Sequence, residues 1–330
     1  MLRSFPPHAR QPLSLKTSFV SHEDASRHDT GWNHPDHQGR LPAIVRAVQR
    51  DMVALWDPLL QVEAAPATEA DLLLVHTPEY VRRVRERSLE SAREERTLEL
   101  DGVPVSAASW DAALASVGAA LSAVDAVLAG DARNAFVLAR PPGRGASADA
   151  PGEFSLFNTV AIAARHLRAR RGIGRVLVVA WGAHEPVALA RLLAEDDGVR
   201  LISIHQHPRT FPDPQPEDAA GIVPGAALPP GSTGEDFAAA LRDALDAIPA
   251  DESPDFVLLS ASFDILATDA HGALAVQPDD VHAITTVLRA WVDARAGGRL
   301  VSVLEGGYAA AETARAVIQH LHALAGIEPA

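Results

Sequence analysis

The chain has 330 residues, 47% of them hydrophobic, enough for one large α/β domain or two small ones and too apolar for disorder over most of its length. A formal net charge of −14 argues against a nucleic-acid binder, which needs a basic footprint. The absence of cysteine removes disulfides, thiolate nucleophiles and Cys-ligated zinc, and it fits a reducing cytosol.

The N-terminal stretch MLRSFPPHARQPLSLKTSF lacks the apolar centre of a signal peptide, and no run reads as a membrane span. The expectation is a cytoplasmic protein with no nucleic-acid or membrane partner. Helices are expected over 40–56, 68–95 and 107–129, with a solvated Arg/Glu-rich stretch at 82–96. From about residue 135, short apolar runs alternate with helical patterns. The runs NAFVLAR (134–140), GRVLVVAW (174–181), VRLISIHQ (199–206), DFVLLSAS (255–262) and GRLVSVLEGG (298–307) read as parallel strands buried on both faces. Helices are expected near 155–170, 186–195, 234–247, 278–296 and 309–325, the fourth announced by the acidic first turn in QPDD. The Pro/Gly-rich segment 207–233 reads as a long loop of the kind that often carries function. No linker separates two cores, so the pattern predicts one domain built on a doubly wound parallel sheet.

Ligands of open parallel sheets bind beyond the carboxyl ends of the strands. The residues that follow the expected strands are Arg144, His184, Asp264 and Tyr308. Each alone fits a cap or a structural hydrogen bond as well as a site; four on one rim favour a site.

Several ordered segments carry a family resemblance: HDTGWNHPDHQGRLPAI (28–44), DLLLVHTPEYVRRV (71–84), FSLFNTVAIAARHL (154–167), SIHQHP (203–208), LPPGS (228–232), LLSASFD (258–264) and VLEGGY (303–308). Over nearly its whole length the chain resembles the zinc-dependent histone deacetylases and acetylpolyamine amidohydrolases. The resemblance implies an arginase-like, three-layer αβα domain with about eight mostly parallel strands. It also implies a zinc held by Asp, His and Asp, a His-His pair for proton transfer, a Tyr at the developing oxyanion, and aromatic side chains lining a tunnel for the acylated amine.

The chain departs from that pattern at the chemistry. The His-His pair falls on Arg144 and Gly145, and the first zinc-ligand Asp falls on Gly182. The positions that would orient the two histidines hold Ala180 and Val187. His184 and Asp264 remain at ligand positions, and Tyr308 remains after Gly306 and Gly307. Phe154 and Phe211 match the tunnel aromatics. An orienting carboxylate without its histidine would be a buried unpaired charge, so these losses belong together. Two side-chain ligands fall short of the three a catalytic zinc normally takes; Glu185, Asp269 and His271 are the nearby substitutes.

Two readings of Arg144 stand side by side: its guanidinium pairs with Asp264 and carries the charge a metal would, or it covers the sheet rim and binds loop carbonyls. The leading functional expectation is a family member that has lost zinc-dependent deacetylation, holds no cofactor, and keeps a pocket for an acylated amine or small anion or a role as an interaction partner. The alternatives are an active zinc amidohydrolase with relocated ligands, a metal-free enzyme using His184, Tyr308 or Arg144, and a scaffold subunit. A homo-oligomer is compatible with each.

Overall fold

A computed structural model describes residues 16–207 and 225–330. Chain order begins with β1 (Thr17–Ser21), α1 (Arg40–Arg50), α2 (Met52–Leu55), β2 (Leu59–Glu63), α3 (Glu69–Leu72) and α4 (Pro78–Glu94). A small hairpin of β3 (Leu98–Leu100) and β4 (Val103–Val105) leads into α5 (Ser109–Ala129) and β5 (Asn134–Val137). Then come α6 (Thr159–Arg171), β6 (Val176–Trp181), α7 (Val187–Leu193), β7 (Val199–Gln206) and β8 (Gly225–Leu228). The chain closes with α8 (Gly234–Asp246), β9 (Phe256–Ala261), α9 (Asp280–Arg295), β10 (Leu300–Leu304) and α10 (Ala310–Ala325).

Eight strands form one sheet in the order β2-β1-β5-β10-β9-β6-β7-β8, and every pairing in it is parallel. Alternate residues of each strand feed two apolar layers. Leu177, Val179 and Trp181 pack on the side of α1, α8, α9 and α10, while Val176, Val178 and Ala180 pack on the side of α4, α5, α6 and α7. This three-layer α/β arrangement agrees with the expectation from sequence.

Several boundaries differ, for local reasons. The helix expected over 40–56 breaks at Asp51 into α1 and α2. The one expected over 68–95 is two helices, because Thr77 caps a fresh start: its side chain accepts from the Tyr80 N–H, with Pro78 at the first helical position. β1, β2 and the hairpin lie where no strand was expected, and β8 lies inside the supposed loop 207–233. One helix, α5, is apolar and long enough to cross a membrane by length and composition, contrary to the reading that no run is. Most of its residues are buried, with Val117, Ala120 and Val124 in the layer it shares with α6.

The topology places four strand ends side by side. β5, β10, β9 and β6 are consecutive neighbours, and Leu304 and Trp181 both register against Ala261. The loops that leave these four strands therefore emerge on one rim.

Candidate active site

From β5, the loop Pro141–Gly145 turns beneath the rim and is pinned by a carboxylate from the loop after β10. Glu305 Oε2 accepts the backbone N–H of Gly143 at 2.6 Å and of Arg144 at 3.1 Å. Glu305 is fully buried, and burial raises its pKa above the usual carboxylate value despite those donors.

The pinned loop turns Arg144 inward, where only 5% of the residue is exposed. Its Nη2 donates to Asp264 Oδ2 at 3.4 Å, and its Nε stands 3.7 Å from Glu153 Oε2. Asp264 is fixed from the other side by the Ala183 N–H, which donates to Oδ1 at 2.7 Å. Burial works against the charge on Arg144, but Asp264 and Glu153 outweigh it and hold its pKa above the ordinary value. The two inner faces of the site are completed by missing side chains. A Cβ on Gly182 would lie 2.1 Å from Arg144 Nη1 and 3.0 Å from Ser262 Cβ. A Cβ on Gly306 would lie 2.4 Å from Ser262 Oγ and 3.0 Å from Asp264 Oδ2. The guanidinium thus occupies the room a side chain at position 182 needs. Among the described residues, Arg144 Nη1 and Ser262 Oγ are buried there without hydrogen-bond partners.

A second assembly supports Tyr308. Asp36, Arg40 and Arg140 are all buried. Asp36 Oδ1 takes both Arg40 Nη1 and Arg140 Nε. Burial opposes the charge on Asp36, but the two guanidinia prevail and hold its pKa below the usual value. Arg40 then donates from Nε to the Gly307 carbonyl at 2.7 Å and from Nη2 to the Glu305 carbonyl at 2.8 Å. Its guanidinium lies 4.9 Å from the centre of the Tyr308 ring. Burial holds the Tyr308 phenol well above its usual range, so it remains a donor.

Phe154, Tyr308 and His271 meet edge to face: ring centres are 5.5 Å apart for Phe154 and Tyr308 and 4.6 Å for His271 and Tyr308. His34 stands 4.5 Å from Phe154. Phe154 is held at φ 67° and Glu153 at φ 45°, a left-handed pair outside glycine that the Gly152–Ser155 bridge keeps in place. The result is a cavity of about 200 Å³ lined by Pro142, Arg144, Glu153, Phe154, His184, Asp264, His271, Gly306 and Tyr308.

The cavity lining thus brings together Arg144, His184, Asp264 and Tyr308, the four residues expected on one rim, with Phe154 and Gly306, which the resemblance placed in the pocket. Gly307 does not line the cavity; it serves through its carbonyl and its φ of 116°. Gly145 and Gly182 are not among the cavity's lining residues, and Phe211 falls outside the described residues. Ala180 sits in the apolar layer of α5 and α6, as expected of a position relieved of its charge. Arg144 does face Asp264, the first of the two readings above, although at a long 3.4 Å. The roles of Asp36, Arg40, Arg140, Glu153 and Glu305 were not legible. Asp36, Arg40 and Glu305 do lie inside the segments 28–44 and 303–308 that carry the family resemblance.

The donor set does not fit zinc. Position 182 offers no side chain, a guanidinium fills its space, and among the described residues no group of three or more His, Cys, Asp or Glu is placed to hold a metal.

Comparison with known proteins places these residues in a context. The histone deacetylase domain matches residues 34–324. The chain is 33% identical to polyamine deacetylase HDAC10 of Homo sapiens over 94% of its own length and 48% of that protein. It is 31% identical to the histone deacetylase-like amidohydrolase of Pseudomonas aeruginosa, over 90% of this chain and 77% of that one. A crystal structure of the HDA15 HD domain superposes with a TM-score of 0.84 at 26% identity, covering 96% of this chain and 90% of that one. The chain spans about half the length of HDAC10.

Proposed function

This chain belongs to the histone deacetylase family, and from that premise we propose that it has lost zinc-dependent deacetylation while keeping a pocket for the acyl end of an acylated amine. The observation that carries the reading is the Arg144 guanidinium, buried against Asp264 in the space that a side chain at position 182 would take. One resident cation already balances the one retained carboxylate, and a metal entering beside it would meet like charge. Neither Arg144 nor Gly145 can serve as a proton acceptor in place of an imidazole.

The retained walls support binding. Phe154 and Tyr308 offer perpendicular ring edges for a slim apolar stem. Glu153, with 46% of its side chain exposed, lines the same cavity and offers a carboxylate to a second ammonium on the ligand. A small anion is the weaker candidate, because Asp264 and Glu153 already outnumber Arg144.

The test uses protein purified without chelators. Metal analysis is expected to find no stoichiometric zinc, and assays on acetyl-lysine peptide and N-acetylated polyamines with added zinc no turnover. The same N-acetylated polyamines should raise the thermal midpoint, since a ligand that binds only the folded state stabilises it. One equivalent of tightly held zinc, lost on Asp264→Ala, would overturn the reading in favour of an active enzyme with relocated ligands.

A further inference from the structure

His271 on the cavity wall and Asp269 behind it form a second chemistry-bearing pair that the zinc reading does not use. Asp269 is buried with its side chain wholly enclosed. Its Oδ2 accepts the backbone N–H of Tyr308 at 2.5 Å and of Ala309 at 3.3 Å. Its Oδ1 accepts the His271 N–H at 2.9 Å and faces His271 Nδ1 at 3.2 Å. Burial opposes its charge, but these hydrogen bonds hold its pKa below the usual carboxylate value, so it is an acceptor only. Nδ1 of His271 must then be the donor, and in the neutral ring Nε2 keeps its lone pair. The ring is 31% exposed, lines the cavity, and stands 4.6 Å from Tyr308. One carboxylate therefore fixes the tautomer of a histidine and the backbone of the tyrosine across from it.

We propose that His271, oriented by Asp269, is the general base of a metal-independent hydrolysis of short-chain carboxylic esters, with Tyr308 and Arg144 stabilising the oxyanion. The proposal rests on the reading that zinc chemistry is lost here. In the step, His271 Nε2 takes a proton from water as the water oxygen bonds to the acyl carbon. The carbonyl π pair moves to oxygen, and the resulting alkoxide faces the Tyr308 hydroxyl and the Arg144 guanidinium on the cavity wall. Collapse of the tetrahedral species breaks the bond to the leaving alkoxide, which takes the proton back from the imidazolium. The products are a carboxylic acid and an alcohol, with no change of oxidation state. Esters are the fitting class because their leaving alkoxide departs more readily than an amine, and a single imidazole with two oxyanion donors suffices. The acyl group enters the same ring-lined space as in the binding reading.

The experiment follows p-nitrophenyl acetate hydrolysis by the full chain in excess EDTA. The expected result is turnover faster than the same concentration of free imidazole, slowed in D2O. His271→Gln should lower it by at least a hundredfold, within the roughly 10²–10⁴ that positioned proton transfer contributes, without shifting the thermal midpoint. His271→Ala should be rescued by added imidazole. Tyr308→Phe, which keeps the ring, should also slow it. A wild-type rate no better than imidazole overturns the proposal, as does a rate unchanged by His271→Gln or, should that variant unfold, one indifferent to D2O. EDTA-sensitive turnover would instead overturn the loss of zinc chemistry.

Discussion

The packing of Arg144 into the space beside Gly182 makes a quantitative demand on stability. Gly182→Ala adds a Cβ that would lie 2.1 Å from Arg144 Nη1. The guanidinium is the end of a flexible side chain, so the clash itself is relieved by movement; the cost is that Asp264 then loses its cation and keeps the Ala183 N–H. Stripping a buried charge of its partner costs about 3–5 kcal/mol, and a partial displacement about 3 kcal/mol. Arg144→Ala should cost about 4 kcal/mol, roughly 6 °C in thermal midpoint for a chain of this length. With Arg144 removed, the nearest remaining contact of Ala at 182 is Ser262 Cβ, at a tight 3.0 Å, and the double variant should cost little more than about 4 kcal/mol rather than the sum. The expected coupling of about 3 kcal/mol is at the top of the range for residues in contact. Urea unfolding of the four proteins at constant pH measures it, with m-values checked for constancy. Additivity within about 0.5 kcal/mol would refute the claim that the guanidinium fills that space.

Other outcomes follow from the same geometry. Rebuilding the histidine pair should fail at position 145, where a Cβ would lie 2.4 Å from the Gly152 carbonyl oxygen and 2.6 Å from Glu153 Cβ. Arg144→His/Gly145→His should therefore melt well below Arg144→His alone, by about 1–3 kcal/mol of overpacking, and equal midpoints would show that the 152–155 bridge yields. Asp36→Asn leaves Arg40 and Arg140 facing each other in the interior and should cost about 3–5 kcal/mol by denaturant unfolding; a neutral result would mean the two guanidinia do not depend on that carboxylate. Stability should also fall as pH drops below the ordinary histidine value. Burial lowers the pKa of His28 and His320 to about 3, and that of His76 and His205 to about 4. The unfolded chain takes up those protons from about pH 6.5 downward and the folded chain does not, so folding loses up to about 1.4 kcal/mol per histidine per pH unit. Urea midpoints at pH 7.5 and 5.5 should differ clearly, and equal midpoints would contradict the buried, neutral assignment.

The parts of the fold that could be read from sequence are those where one physical effect dominates. LVV in β6 and VLL in β9 are buried on both faces and show it as unbroken apolar runs. β2 and β8 are the two edge strands and are partly exposed, so LLQVE and GAAL carry no comparable pattern. At the site, Arg144, Asp264 and Tyr308 were legible because each lies in the loop that leaves a buried parallel strand. The Asp269 clamp was not, since it depends on a loop folding back to meet the backbone of residues 308 and 309. The fit of a guanidinium into the space of a missing side chain was equally hidden: Gly182 and Arg144 are far apart in the chain, and neither alone signals the other.

The order of the central strands has a consequence for how chains of this kind are sorted. The family match runs over residues 34–324 and takes in the sheet with its two helical layers, whereas the cavity is lined by a handful of positions in separate loops. A classifier that weighs the whole chain will therefore group active and altered members together. The pair at positions 144 and 182 is a compact diagnostic: arginine opposite glycine marks a charge carried by the polypeptide itself, and if zinc chemistry is lost in this chain, any relative with both would be expected to be indifferent to chelators.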